Sequence, residues 1–102
     1  MSDKEDFWTK IPDKGVKLEV FVGHPPCPSC LKTLKTVSEL GMAHFDKLHI
    51  LIYVGKSGEE QFKNYGLTCV PSVVVDEIIK ISGIAPTEEL LVEAVKKTAG
   101  VG

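Results

Sequence analysis

Cys27-Pro28-Ser29-Cys30 is the feature that most narrows what this chain can fold into. It stands between a segment that reads as a strand and one that reads as a helix. From Lys17 to Val22, the residues Leu18, Val20, Phe21 and Val22 are apolar and β-prone. Gly23-His24-Pro25-Pro26 then breaks the pattern, because Pro25 and Pro26 cannot continue a strand. Pro28 suits the first position of a helix, where its missing N–H would go unpaired anyway. Leu31, Leu34, Val37 and Leu40 follow at helical spacing, with Lys32, Lys35 and Glu39 off that stripe. Gly41 is the predicted stop.

A thiol at a helix N-terminus meets unpaired N–H groups and the positive end of the helix dipole. Both favour the thiolate, the species that attacks disulfides. A second thiol three residues on lies one turn into the same helix, close enough to resolve a mixed disulfide on the first. This spacing assigns Cys27 as nucleophile and Cys30 as resolving thiol. The same pair could be half of a metal site, but a structural zinc needs four ligands. The spare candidates, Cys69 and three histidines, form no second close pair. Binding of a soft metal or metalloid through Cys27 and Cys30, with or without Cys69 or His24, stays open as the alternative. The expected reading holds no metal and no cofactor.

Further along, Leu48 to Val54 is almost continuously apolar, the pattern of a strand covered on both faces. Ser57-Gly58-Glu59-Glu60 matches a capping box and predicts a short helix through Tyr65, stopped by Gly66, with Phe62 and Tyr65 as core anchors. Ser72 to Val75 and Ile78 to Ser82 read as strands joined by a tight Asp76-Glu77 turn, although neither turn residue is Gly. Pro86-Thr87-Glu88-Glu89 opens a last helix with Leu90, Leu91, Ala94 and Val95 as its apolar stripe. The order is β-α-β-α-β-β-α. The first two strands should be parallel and the last two antiparallel, in a small mixed four-stranded sheet with helices on both faces. Residues 1–16 read as an arm whose Phe7 and Trp8 can dock on a domain spanning 17–98, and 99–102 as a tail. His44 and His49 read as structural.

The chain has 102 residues, enough for one domain with a modest core. A net charge of −2 gives no footprint for nucleic acid. No apolar run approaches the ~18 residues of a membrane span. The first six residues lack the charged-then-apolar order of a signal peptide, so a cytoplasmic location is expected.

The C-x-x-C before a helix, Val70-Pro71 before the third strand, the hairpin after it and Gly83 before the last helix resemble the thioredoxin/glutaredoxin fold. The small thioredoxin-like redox-active disulfide proteins of archaea and bacteria are the nearest likeness, over roughly residues 17–98, with Gly66 to Asp76 similar to their cis-proline segment. The resemblance implies that Pro71 is cis and packs beside Cys27 and Cys30. It also implies that the Val70 backbone offers its N–H and C=O to an extended partner, and that Gly83 permits close packing near the site. Pro28 and Ser29 are the inner motif pair. Pro26 stands where thioredoxins carry Trp, and Phe21 where they carry a buried acid, so proton handling at Cys30 should differ. Gly83 is followed by Ile84-Ala85-Pro86 rather than the residues that hold glutathione in glutaredoxins. The implied partners are protein disulfides and a flavin-dependent reductase of the thioredoxin-reductase type. A monomer is expected. His24 is either a loop residue or an aid to Cys27. Cys69 is either a small apolar filler or a third thiol near the site.

Overall fold

A computed structural model describes residues 7–99. The elements are a 3₁₀ turn at Phe7–Lys10, strand β1 at Val16–Val22, helix α1 at Pro28–Ala43 and strand β2 at Leu48–Val54. A second 3₁₀ turn at Gly55–Gly58 leads into the short helix α2 at Glu59–Asn64. Strands β3 (Ser72–Val75) and β4 (Ile79–Ser82) and helix α3 (Glu88–Ala99) complete the order. The sheet runs β2-β1-β3-β4, with β1 parallel to β2 and antiparallel to β3, and β3 antiparallel to β4.

Alternation along β1 sorts the core. Val16, Leu18, Val20 and Val22 face one side, where they pack with Val37 and Leu40 of α1 and Leu91, Ala94 and Val95 of α3. Phe21 faces the other side, where it meets Val74, Leu67 and the half-buried Tyr53, Phe62 and Tyr65 around α2. Phe7 and Trp8 are buried against the first core, and the Trp8 ring stacks on His44 with centroids 3.7 Å apart. Burial pushes the His44 pKa below its usual value, against the opposing pull of Asp46 and Glu88.

Four local expectations give way to tertiary packing. The α1 stripe is Cys30, Thr33, Val37 and Leu40, while Leu31 is exposed. At 3.6 residues per turn, steps of three slide by about 60° each, so positions 31 and 40 fall on opposite sides of the helix. The spacing 30, 33, 37, 40 stays on one face, and the Thr33 hydroxyl is satisfied by donating to Ser29 O at 2.8 Å. Gly41 lies within α1 instead of ending it. A Cβ there would stand 2.5 Å from Ile50 Cδ1, so its bare face is where β2 presses on the helix. Strand β2 is an edge strand with Ile52 and Val54 exposed, not one covered on both sides. Ser57 does not cap α2. Its Oγ accepts from Val54 N–H and donates to Val54 O, closing the 3₁₀ turn, and the α2 N-cap is Gly58.

The hairpin is as tight as expected. Asp76 and Glu77 both take positive φ, and Ile78 N–H donates to Val75 O at 3.0 Å, the geometry of a type I′ turn without glycine. Strand β4 begins one residue later than predicted, leaving Ile78 exposed. The Thr87 hydroxyl accepts from Leu90 N–H at the start of α3.

Candidate active site

The strand register brings four chain segments to one end of the sheet. β1 and β2 finish together, with Val22 beside Val54. Ser72 opens β3 opposite Phe21, and Ser82 ends β4 opposite Ser72. The dithiol loop after β1, the 3₁₀ turn after β2, the Val70-Pro71 segment before β3 and Gly83 after β4 therefore converge. Residues 27 and 71 are far apart in sequence, and the antiparallel pairing of β1 with β3 is what makes their segments neighbours.

Cys27 is the N-cap of α1, in extended conformation, and Pro28 takes the first helical position. The Cys27 carbonyl accepts the first helical bond, from Leu31 N–H at 3.0 Å. Its Sγ accepts from the Cys30 backbone N–H at 3.2 Å and lies 2.9 Å from Cys30 Sγ. Both are free thiols. Cys27 is half-buried and Cys30 wholly buried, so one sulfur is reachable and the other waits beneath it.

The Cys27 pKa is lowered from its ordinary value. The thiol of Cys30 contributes most, followed by the backbone N–H of Cys30 and, more weakly, other helix-terminal amides; partial desolvation opposes them. No charged side chain takes part. The causes of the shift are hydrogen bonds at a helix end, an environment that favours the thiolate over the thiol.

The other residues singled out in the sequence fall around this pair in different ways. Pro28 and Ser29 are exposed on the first turn of α1 and Pro26 is half-buried beside it. The Val70–Pro71 peptide is cis and Pro71 is buried, while Val70 is exposed. The His24–Pro25 peptide is cis as well, which the sequence reading did not anticipate. Gly83 takes φ +80°, a conformation that disfavours a side chain, and its N–H donates to Pro71 O at 3.0 Å. A Cβ on Gly83 would come 3.3 Å from Cys69 Sγ, so the Cys69 side chain packs against Gly83, and the residue is exposed. His24 is also exposed, against Gly55. Among the described residues no three Cys, His, Asp or Glu side chains come together as a metal-binding group, so Cys69 and His24 do not complete a ligand set with the dithiol.

Sequence reasoning missed Glu19. It is fully buried on β1, two residues before Phe21 and on the same face of the sheet. Its carboxylate accepts from the Tyr65 hydroxyl, from Tyr53 Oη at 3.2 Å and from Gln61 Nε2 at 3.4 Å, and Lys17 Nζ lies 3.6 Å away. Burial first, then Glu19, pushes the pKa values of Tyr53 and Tyr65 upward. The available signal was an acid flanked by Leu18 and Val20 in the middle of a strand, with two tyrosines further along the chain.

A family model described as a thioredoxin domain matches residues 16–96. The thioredoxin of Methanocaldococcus jannaschii is 33% identical over 82 residues, covering 80% of this chain and 94% of its own. A probable thioredoxin of Methanothermobacter marburgensis is 32% identical, with coverage of 78% and 92%. Among solved structures, a thioredoxin variant from Halobacterium salinarum superposes with a TM-score of 0.65 at 18% identity, over 95% of this chain and 83% of that one. The last likeness speaks to the fold alone. The sequence match does more, since it spans the dithiol, the proline segment and the sheet that joins them: the chain belongs to the thioredoxin family, with the redox role that membership carries.

Proposed function

We propose that the chain is a thiol–disulfide oxidoreductase that exchanges its Cys27–Cys30 dithiol with disulfides of protein substrates. The observation that carries this reading is the half-exposed Cys27 Sγ at the α1 N-cap, 2.9 Å from the buried Cys30 Sγ and bonded by the Cys30 N–H. In the reducing direction the Cys27 thiolate attacks one sulfur of the substrate disulfide. That S–S bond breaks, a Cys27–substrate disulfide forms, and the departing sulfur leaves as a thiolate that takes a proton. Cys30 gives up its proton and attacks Cys27 Sγ. The mixed disulfide breaks, and the second substrate sulfur leaves and is protonated. The substrate gains two electrons and two protons, and Cys27 and Cys30 are left as a disulfide. An enzyme of the flavin-dependent thioredoxin-reductase type then returns the two electrons.

Substrate docking rests on Val70. Among the described residues no hydrogen bond engages its N–H or C=O, so both are free to pair with an extended segment as an added strand would. Pro71, the next residue, is tied to Gly83 by the Gly83 N–H bond to its carbonyl.

The test is reduction of a disulfide-bonded protein under excess dithiothreitol. Cys27→Ser should abolish turnover. Cys30→Ser should stop at a one-to-one mixed disulfide visible by mass spectrometry. Turnover surviving in Cys27→Ser would overturn the proposal.

A further inference from the structure

A cavity of about 250 Å³ opens on the α2 side of the sheet, between the end of β1 and the proline segment. Phe21, Tyr53, Phe62 and Val70 are among the residues that line it. Gly58 and Gly23 are also among its lining residues. At Gly58 a Cβ would meet Tyr53 Cβ at 2.4 Å and Phe21 Cδ2 at 3.1 Å. At Gly23, four residues before Cys27, no side chain occupies the space beside Val70, whose Cγ2 would lie 3.7 Å from an added Cβ.

The dimensions decide among occupants. Sites for drug-sized molecules and cofactors run to ~300–1,000 Å³ and hold a few placed polar groups. This cavity is smaller, its interior surface is almost wholly apolar, and its charged residues are the exposed Lys56 and Glu59. One large apolar side chain matches it. Val70 supplies the link to the chemistry, since it lines the cavity and, among the described residues, its N–H and C=O carry no hydrogen bond. A strand paired there sends alternate side chains to opposite sides, so one of them is directed at the cavity mouth.

We infer that this cavity is a specificity subsite that takes one aromatic or long aliphatic side chain flanking the exchanged cysteine of an extended substrate. The inference rests on the thiol-exchange reading above and adds a substrate class to it: disulfides next to a bulky apolar residue.

The experiment compares kcat/KM on disulfide peptides that differ at one flanking position, Gly against Leu, Phe or Glu, with hydroxyethyl disulfide as a substrate lacking any side chain. At the best flanking position Leu or Phe should exceed Gly by ~10-fold or more, the range for filling an apolar pocket. Gly23→Val, whose Cβ would stand 3.6 Å from Pro25 O and 3.7 Å from Val70 Cγ2, adds bulk beside Val70 and should erase that preference when each peptide rate is taken relative to the same protein's hydroxyethyl disulfide rate. Phe62→Ala, which removes one ring of the lining, should move the optimum to Trp. Equal rates across the peptides, or one ranking shared by all three proteins, would overturn the subsite. A dimer in sedimentation that Gly23→Val dissolves would assign the cavity to a second copy and overturn it too. No reduction of hydroxyethyl disulfide by the wild-type chain would instead sink the exchange reaction itself.

Discussion

Replacing Glu19 by Ala removes the one acceptor around which three donors are arranged. Tyr65 Oη, Tyr53 Oη at 3.2 Å and Gln61 Nε2 at 3.4 Å all lose their partner, and the Lys17 ammonium at 3.6 Å loses its buried counter-charge. Glu19 has no exposed surface, so water cannot simply take its place. Removing one partner from a buried charged network costs ~3–5 kcal/mol. Small domains have only ~5–15 kcal/mol in total. At ~4–8 °C per kcal/mol for a domain near this size, Tm should fall by at least ~12 °C. Glu19→Gln keeps an acceptor and the shape but not the charge, so its loss should be clearly smaller. Urea titration and calorimetry of both variants provide the measurement. A Glu19→Ala loss below ~1 kcal/mol, or a Gln variant as unstable as the Ala one, would refute the view that this carboxylate anchors α2 to the sheet.

Other consequences are more direct. Cys30→Ala removes the largest contributor to thiolate stabilisation at Cys27, so the pH midpoint of Cys27 alkylation should rise; because hydrogen bonds and not charged side chains do the holding, wild-type midpoints at low and high salt should agree. Tyr53 and Tyr65 hold their protons more tightly when folded, so stability should be constant below their unfolded pKa of ~10 and fall as pH rises above it; Tyr65→Phe should weaken that decline in a denaturation series from pH 8 to 12. His44 resists protonation when folded, so its contribution is present above pH ~6.5 and lost as pH falls below; His44→Phe should flatten stability between pH 7 and 5. Gly58→Ala forces a Cβ to within 2.4 Å of Tyr53 Cβ, which is not a flexible chain end, and should cost ~1–3 kcal/mol by urea titration.

Much of this protein was readable from residues close together in the chain. A strand, two prolines, and a cysteine, a proline and a second cysteine at the start of an amphipathic segment are enough to place a thiol at a helix N-terminus. That placement follows from propensity, capping and the missing N–H of Pro28, all of which act within one helical turn. The parallel β1–β2 pair follows from the intervening helix and the antiparallel β3–β4 pair from a two-residue turn, again local constraints. Other properties belong to the assembled sheet. Whether the apolar run Leu48–Val54 is central or at an edge depends on which strands sit beside it, and nothing within those seven residues encodes its neighbours. The bare face of Gly41 matters only because Ile50 lies against it. Glu19 looked like a surface acid until Tyr53, 34 residues away, and Tyr65, 46 residues away, were folded onto it. The cavity between Phe21, Phe62 and Val70 likewise draws its walls from three separate stretches. Local sequence sets the conformations a segment prefers, but burial, edge exposure and the pairing of buried polar groups are relations between distant segments, and only the closed tertiary structure decides them.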